Sequence, residues 1–162
     1  MIKMFVKKLR IPKKRVETIK KIKNKIENNG CVKIEIDDDI TITGESLNVF
    51  NTVNVITAIG RGFSPSDAFK LFEDDNTLYI LPISKNKNTL NRIRARIIGT
   101  RGKVKTKIEQ LTNTKISVFG KTVSIIGSGC ELETARVAIE KIIEGKSHPT
   151  VFKFLENSVR EM

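Results

Sequence analysis

The sequence predicts an α+β protein made of two tandem copies of one unit, each a three-stranded sheet packed on helices. Three observations predict it. Residues 33–36 with 40–43, and residues 115–118 with 122–126, alternate apolar and polar side chains. Each pair reads as a hairpin with one buried face, and each leads through a glycine, Gly44 or Gly127, into a helix. Stripes of Val, Ile and Leu at helical spacing flank both hairpins. The halves also repeat, at an offset of 82 (115 − 33) to 84 (148 − 64). Ser64-Pro65-Ser66 with Phe69-Lys70 thus stands against His148-Pro149-Thr150 with Phe152-Lys153. Residues 1–75 make the first unit and residues 76–162 the second.

The elements follow in chain order. Residues 4–11 read as a strand closed by Pro12. The next helix carries Val16, Ile19, Ile22 and Ile26 on one stripe and six lysines, from Lys13 to Lys25, on its other faces. Asp37-Asp38-Asp39 fits a hairpin turn, where aspartate serves its own hydrogen bonding. Gly60-Arg61-Gly62-Phe63 reads as a helix–helix turn with Phe63 as a core plug. Ser64 is a helix N-cap with Pro65 at the first helical position. Glu73-Asp74-Asp75 is a solvated linker. The second strand run, 78–81, ends at Pro82. Val104, Ile108 and Leu111 form the core stripe of one later helix, and Leu132, Ala135, Ile139, Ile142 and Ile143 that of another. A short helix from Pro149 to about Asn157 closes the chain. Phe69/Phe72 and Phe152/Phe154 sit at core spacings, which disfavours bare aromatic stacking platforms. Cys31 and Cys130, far apart, read as two reduced core thiols. His148 reads as a helix cap.

Charge is strong and uneven. Thirty Lys/Arg against 18 Asp/Glu give a net charge of +12. Residues 1–34 hold twelve basic residues and two acids, residues 35–75 two basic residues and nine acids, and residues 76–108 nine basic residues and no acid. A balance this basic points to a polyanion, nucleic acid first. No apolar run approaches the roughly 18 residues of a membrane span, and the N-terminus lacks a signal-peptide core. The expectation is a cytoplasmic protein with no membrane partner.

Within the acid-free stretch lies Ile97-Ile98-Gly99-Thr100-Arg101-Gly102-Lys103. Glycine at both ends permits a sharp bend and a close approach by another backbone. The helix opening near Lys103 offers N–H groups to an anion, and Arg101 and Lys103 add charge. This is a device for holding a phosphodiester backbone without reading its bases.

Strand, helix, Gly-x-x-Gly turn, helix, strand, strand and helix in that order resembles the type I KH domain. Ile97–Lys103, Ile108–Thr112, Lys115–Val118 and Val123–Gly127 carry the resemblance. A wider resemblance rests on Ala58–Pro65, Arg94–Gly99, Ser117–Thr122 and His148–Phe152. These are similar to an archaeal double-KH family of small-subunit ribosomal RNA processing, the Dim-two-like partners of the Nob endonuclease. The resemblance implies single-stranded RNA binding near the 3′ end of 16S ribosomal RNA or its precursor. It also implies contacts with the Nob endonuclease and with the alpha subunit of translation initiation factor two. Gly99, Thr100, Arg101 and Gly102 would hold phosphates, with Lys103 and Lys105 behind them. Ile98, Lys115, Ile116 and Ser117 would line the groove, and Arg94, Arg96 and, further off, Arg61 would flank it. The first unit departs from the pattern. Lys33 follows Pro12 at a separation of 21 (33 − 12), whereas Lys115 follows Pro82 at one of 33 (115 − 82). The stretch 13–29 contains no glycine. Its two helices should run together as one, leaving a scaffold, electrostatic flank or protein-contact surface without the clamp.

No Ser/His/Asp, Cys/His, zinc-ligand or Walker-type set occurs, so no catalysis, metal or cofactor is expected. Two rivals remain: a metal-dependent nuclease built on Asp37–Asp39, and a general RNA-binding or translation adaptor that recruits a protein partner. The internal duplication favours a monomer.

Overall fold

A computed structural model describes residues 3–161. The chain divides into two compact units between Asp74 and Asp75. The first runs β1 (Met4–Leu9), α1 (Lys13–Gly30), β2 (Lys33–Ile36), β3 (Ile40–Glu45), α2 (Ser46–Gly60) and α3 (Pro65–Ala68), then a 3-10 turn, Phe69–Phe72. The second runs β4 (Thr77–Pro82), α4 (Lys87–Ile98), a 3-10 turn over Thr100–Gly102, α5 (Lys103–Thr112), β5 (Lys115–Phe119), β6 (Thr122–Gly127), α6 (Gly129–Ile143) and α7 (His148–Glu161). Each unit holds one antiparallel three-stranded sheet in which the last strand lies in the middle, in the orders β1-β3-β2 and β4-β6-β5. The fold class read from the sequence is the one observed.

The repeat is physical as well as textual. Cys31 ends α1 at φ +54°, and its counterpart Asn113 ends α5 at φ +51°. Glu27 accepts a hydrogen bond from the Ile34 amide at 2.8 Å, and Glu109 accepts one from the Ile116 amide at 2.9 Å. Both correspondences share one offset (113 − 31 and 109 − 27). Each carboxylate ties the end of a helix to the start of the following strand. Helices α2 and α6 both span 15 residues. A hydrogen bond to an ionised group contributes about 1.5–3 kcal/mol. Glu27→Ala and Glu109→Ala should therefore each destabilise their own unit by about 2 kcal/mol in chemical denaturation. Glu109→Gln should cost less, because its amide oxygen still accepts.

The first unit has one 18-residue helix, α1, where the second has α4, the turn and α5. At that same offset Gly99 and Gly102 fall on Glu17 and Lys20, which form an i,i+3 ion pair at 3.5 Å on the continuous helix. The first unit lacks the glycine turn, as the sequence predicts.

Each core lies between a sheet and its helices. Ile19, Ile26, Ile34, Ile42, Val55, Ile56 and Ile59 are buried in the first unit. In the second, one cluster joins Ile97, Ile108, Ile116, Val123, Ile125, Ile139, Ile142, Val151 and Leu155. Phe63 is buried, and the Ser64 hydroxyl accepts from the Asp67 amide at 3.2 Å.

Three readings need correction. Both cysteines are free but exposed, not core thiols. Cys31 occupies a left-handed helix cap that faces water, and Cys130 lies in the first turn of α6. Helix α7 starts at His148 and runs on to Glu161, because Val151 and Leu155 dock it into the core. His148 is not the cap of that helix: the Ser147 hydroxyl accepts from the Thr150 amide at 3.3 Å, while His148 Nε2 lies 2.9 Å from the Arg96 carbonyl oxygen. Phe5 and Phe50 stand exposed.

Among the described residues no helix is long and apolar enough to cross a membrane, and no group of three or more His, Cys, Asp or Glu could hold a metal ion. Asp39 instead pairs with Arg10, and its carbonyl accepts from the Asp37 amide at 3.0 Å.

Candidate nucleic-acid interface

Helix α4 ends where Gly99 takes φ +76° and ψ 175°. That region of the backbone map is essentially closed to any residue with a Cβ. Space closes it too, since a Cβ there would lie 2.4 Å from Val104 Cγ2 and 2.9 Å from the Val104 amide nitrogen. Arg101 and Gly102 follow at φ +56° and +74°, both left-handed. A Cβ on Gly102 would meet nothing within 4 Å. The two glycines thus have different duties. Gly99 lets the turn pack on α5, and Gly102 supplies only the conformation that starts the helix.

The turn projects its polar groups outward. Thr100, Arg101 and Lys103 are exposed. Among the described residues Arg101 and Lys103 make no ion pair. Two cations at the start of the ten-residue helix α5 favour an anion.

The other sequence candidates divide. Lys105 is half-buried and reaches Glu109 at 3.4 Å, the same carboxylate that holds the Ile116 amide. Lys105 therefore stands beside the start of β5, with half-exposed Lys115. Ile98 is half-buried at the end of α4, and Arg94 is half-buried on the same helix. Ile116 and Ser117 are 3% and 8% exposed, and Ile116 belongs to the core cluster. Their side chains support the strand from within and offer no open surface, which corrects the alternating-strand reading of the groove.

Arg96 is the clearest revision. Its guanidinium donates to the Ile142 carbonyl at 2.9 Å and to the Lys146 carbonyl. It thus closes the C-terminal end of α6, where carbonyls lack helical partners. In the first unit Arg15 donates to the Ile59 carbonyl at 2.8 Å and the Phe63 carbonyl at 2.7 Å. Ile59 and Phe63 are the counterparts of Ile142 and Lys146, both at one offset (142 − 59 and 146 − 63). The unit without a glycine turn keeps the same arginine contact, so the contact belongs to the architecture of the unit. Arg96→Ala should lower stability by about 1–3 kcal/mol and leave the RNA affinity of the folded protein within about threefold. Denaturation and RNA titration of the same preparation check both.

The sequence reading missed Lys107. Its ammonium sits 4.2 Å from the Phe152 ring centre and 3.7 Å from Glu156, both on α7. Only its place one helical turn after Lys103 marks it in the sequence, because its partners lie on a distant helix.

The model of the second KH domain of PNO1 proteins, described as a eukaryotic type KH-domain (KH-domain type I), matches residues 78–160. A KH-domain-containing protein of Methanocaldococcus jannaschii is 38% identical, with 91% of this chain and 71% of that protein covered. The pre-rRNA-processing protein PNO1 of Chaetomium thermophilum is 30% identical over 71% of this chain, which spans 46% of that longer protein. Among solved structures, Dim2p of Pyrococcus horikoshii OT3, determined as an a/eIF2alpha–aDim2p–rRNA complex, is 34% identical. It covers 98% of this chain and 96% of its own at a TM-score of 0.92. With the fold and nearly the whole length of the solved relative held in common, the chain belongs to the PNO1/Dim2 family of KH-domain proteins.

Proposed function

We propose that this protein is a non-catalytic single-stranded RNA-binding factor of small-subunit ribosome biogenesis, acting on the 3′ end region of 16S ribosomal RNA or its precursor. The observation that carries this reading is the outward turn Gly99–Lys103 at the start of α5, with two cations free of ion pairs among the described residues. In this reading Thr100 and Arg101 grip backbone phosphates. Lys103 and Lys105 add charge, while Ile98 and Lys115 border the bases. Gly99 and Gly102 let the RNA backbone approach. The Pyrococcus complex named for rRNA and a/eIF2alpha supports both ribosomal RNA and the alpha subunit of initiation factor two as partners. The Nob endonuclease is the further partner that the family resemblance implies. The first unit, strongly basic at its start and without the glycine turn, flanks the RNA or meets protein. The protein works as a monomer in the cytoplasm, needing no metal or cofactor.

Fluorescence anisotropy with RNA from the 3′ end of 16S rRNA, set against a duplex of the same sequence, tests the reading. Single-stranded binding should be the tighter. Four phosphate contacts would give a log–log salt slope of about −3, at roughly −0.7 per contact on a single strand. Equal affinity for the duplex would reduce the surface to unspecific charge.

A further inference from the structure

The side of α5 turned away from β5 carries a hollow of about 590 Å³, lined by Arg101, Lys103, Thr106, Lys107, Gln110 and Leu111. Small-ligand sites span roughly 300–1,000 Å³. We propose that this hollow is a second RNA subsite, which takes the single-stranded backbone as it leaves the glycine turn. The proposal rests on the reading of the turn as a phosphate clamp.

The faces of α5 set the route. Val104, Ile108 and Thr112 point into the core. Lys105 and Glu109 occupy the side next to β5. Lys103, Thr106 and Gln110 are exposed on the opposite side, with half-buried Lys107 between them and α7. A strand gripped at the start of α5 has the β5 groove on one hand and this hollow on the other. An RNA longer than the roughly four nucleotides that a KH clamp holds must continue past one of them.

The chemistry of the lining suits that continuation. Arg101 and Lys103 supply charge that no carboxylate neutralises among the described residues. Lys107 is held in place by Glu156 and by the Phe152 ring, so less side-chain freedom is lost when it meets a phosphate. Thr106 and Gln110 are uncharged hydrogen-bonding groups. Leu111 gives one apolar surface for a base or sugar. Three cations, two polar groups and one apolar contact describe a site for a nucleotide chain better than one for a small anion.

The test uses the full chain carrying Thr106→Glu with Gln110→Glu. Both positions lie on the exposed face of α5, and glutamate is a good helix former. The probes are an RNA of about 6 nucleotides from the 3′ end of 16S rRNA and one of about 18 that contains it. The variant should bind the long RNA about tenfold more weakly, with a salt slope shallower by about 1.4, from two contacts at roughly 0.7 each. The short RNA should change by no more than about twofold at physiological salt, where screening acts over about 8 Å. Unchanged binding of the long RNA overturns the proposal, and so does an equal loss on both lengths, which would mean bulk repulsion. Gln110→Glu alone carries the test should the double variant lose stability. A Thr100→Asp/Arg101→Asp protein that still binds both RNAs would instead indict the clamp, so the two failures are distinguishable.

Discussion

A Thr100→Asp/Arg101→Asp protein is expected to fold normally and to lose single-stranded RNA affinity by about 100-fold or more. Both side chains are exposed, and neither makes a hydrogen bond or ion pair among the described residues, so no native contact is broken. Arg101 sits at φ +56°, a left-handed conformation that aspartate tolerates better than most residues. Stability should therefore move by no more than about 0.5 kcal/mol, the usual range for surface sites. Affinity is another matter. A charge-assisted hydrogen bond contributes about 1.5–3 kcal/mol, and the two aspartates place negative charge where phosphates would lie. Losing two of four phosphate contacts would also halve the salt slope, from about −3 to about −1.4. Anisotropy titrations at several salt concentrations read both quantities. A folded double variant with wild-type affinity would remove the turn from the binding surface.

Gly99→Ala should be the most destabilising single-methyl change in the second unit. Two costs add. The backbone at φ +76° and ψ 175° excludes a side chain, at about 1–3 kcal/mol. The new methyl would also overlap Val104, at 2.4 Å from Cγ2 and 2.9 Å from the backbone nitrogen, and overpacking of this kind costs about 1–3 kcal/mol. The backbone nitrogen cannot swing aside as a side chain can. A total of about 3–5 kcal/mol is a large share of a domain's stability, which is typically about 5–15 kcal/mol. Gly102→Ala should cost only about 1–2 kcal/mol, since its left-handed φ carries the whole penalty and the space around it is open. Chemical denaturation of the two variants side by side checks the ranking. Equal effects would mean that Val104 does not hold the turn on α5.

Periodicity and glycine spacing made much of the molecule readable. The stripe Val104, Ile108, Leu111 marks α5, and the alternation in Lys115–Val118 marks β5, because each pattern reports one buried face. The missing turn of the first unit was readable by subtraction, since Pro12 stands much closer to Lys33 than Pro82 does to Lys115. The candidate site was readable only in part. Arg96 and Arg101 lie close together in one basic run, and composition treats them alike. Arg96 turns to carbonyls 46 and 50 residues downstream, while Arg101 keeps its charge outside. Ile116 and Ser117 alternate as a half-exposed strand should, yet both are buried. The exposure of Cys31 depended on a helix cap, a local geometry that hydrophobicity does not encode.

By itself the sequence determined the duplicated α+β unit, the place of the one glycine turn and the excess of positive charge around it. These are properties of neighbours along the chain: spacing, backbone freedom and the count of ionised groups. Only the tertiary structure decided which cations stay available. It sent Arg96 to the end of α6, set Lys107 between Phe152 and Glu156, and opened a hollow beside α5. Whether a charge is spent on its own protein or left for a partner depends on which carbonyls, rings and carboxylates the packing brings within a few ångströms of it, and those groups come from helices far along the chain.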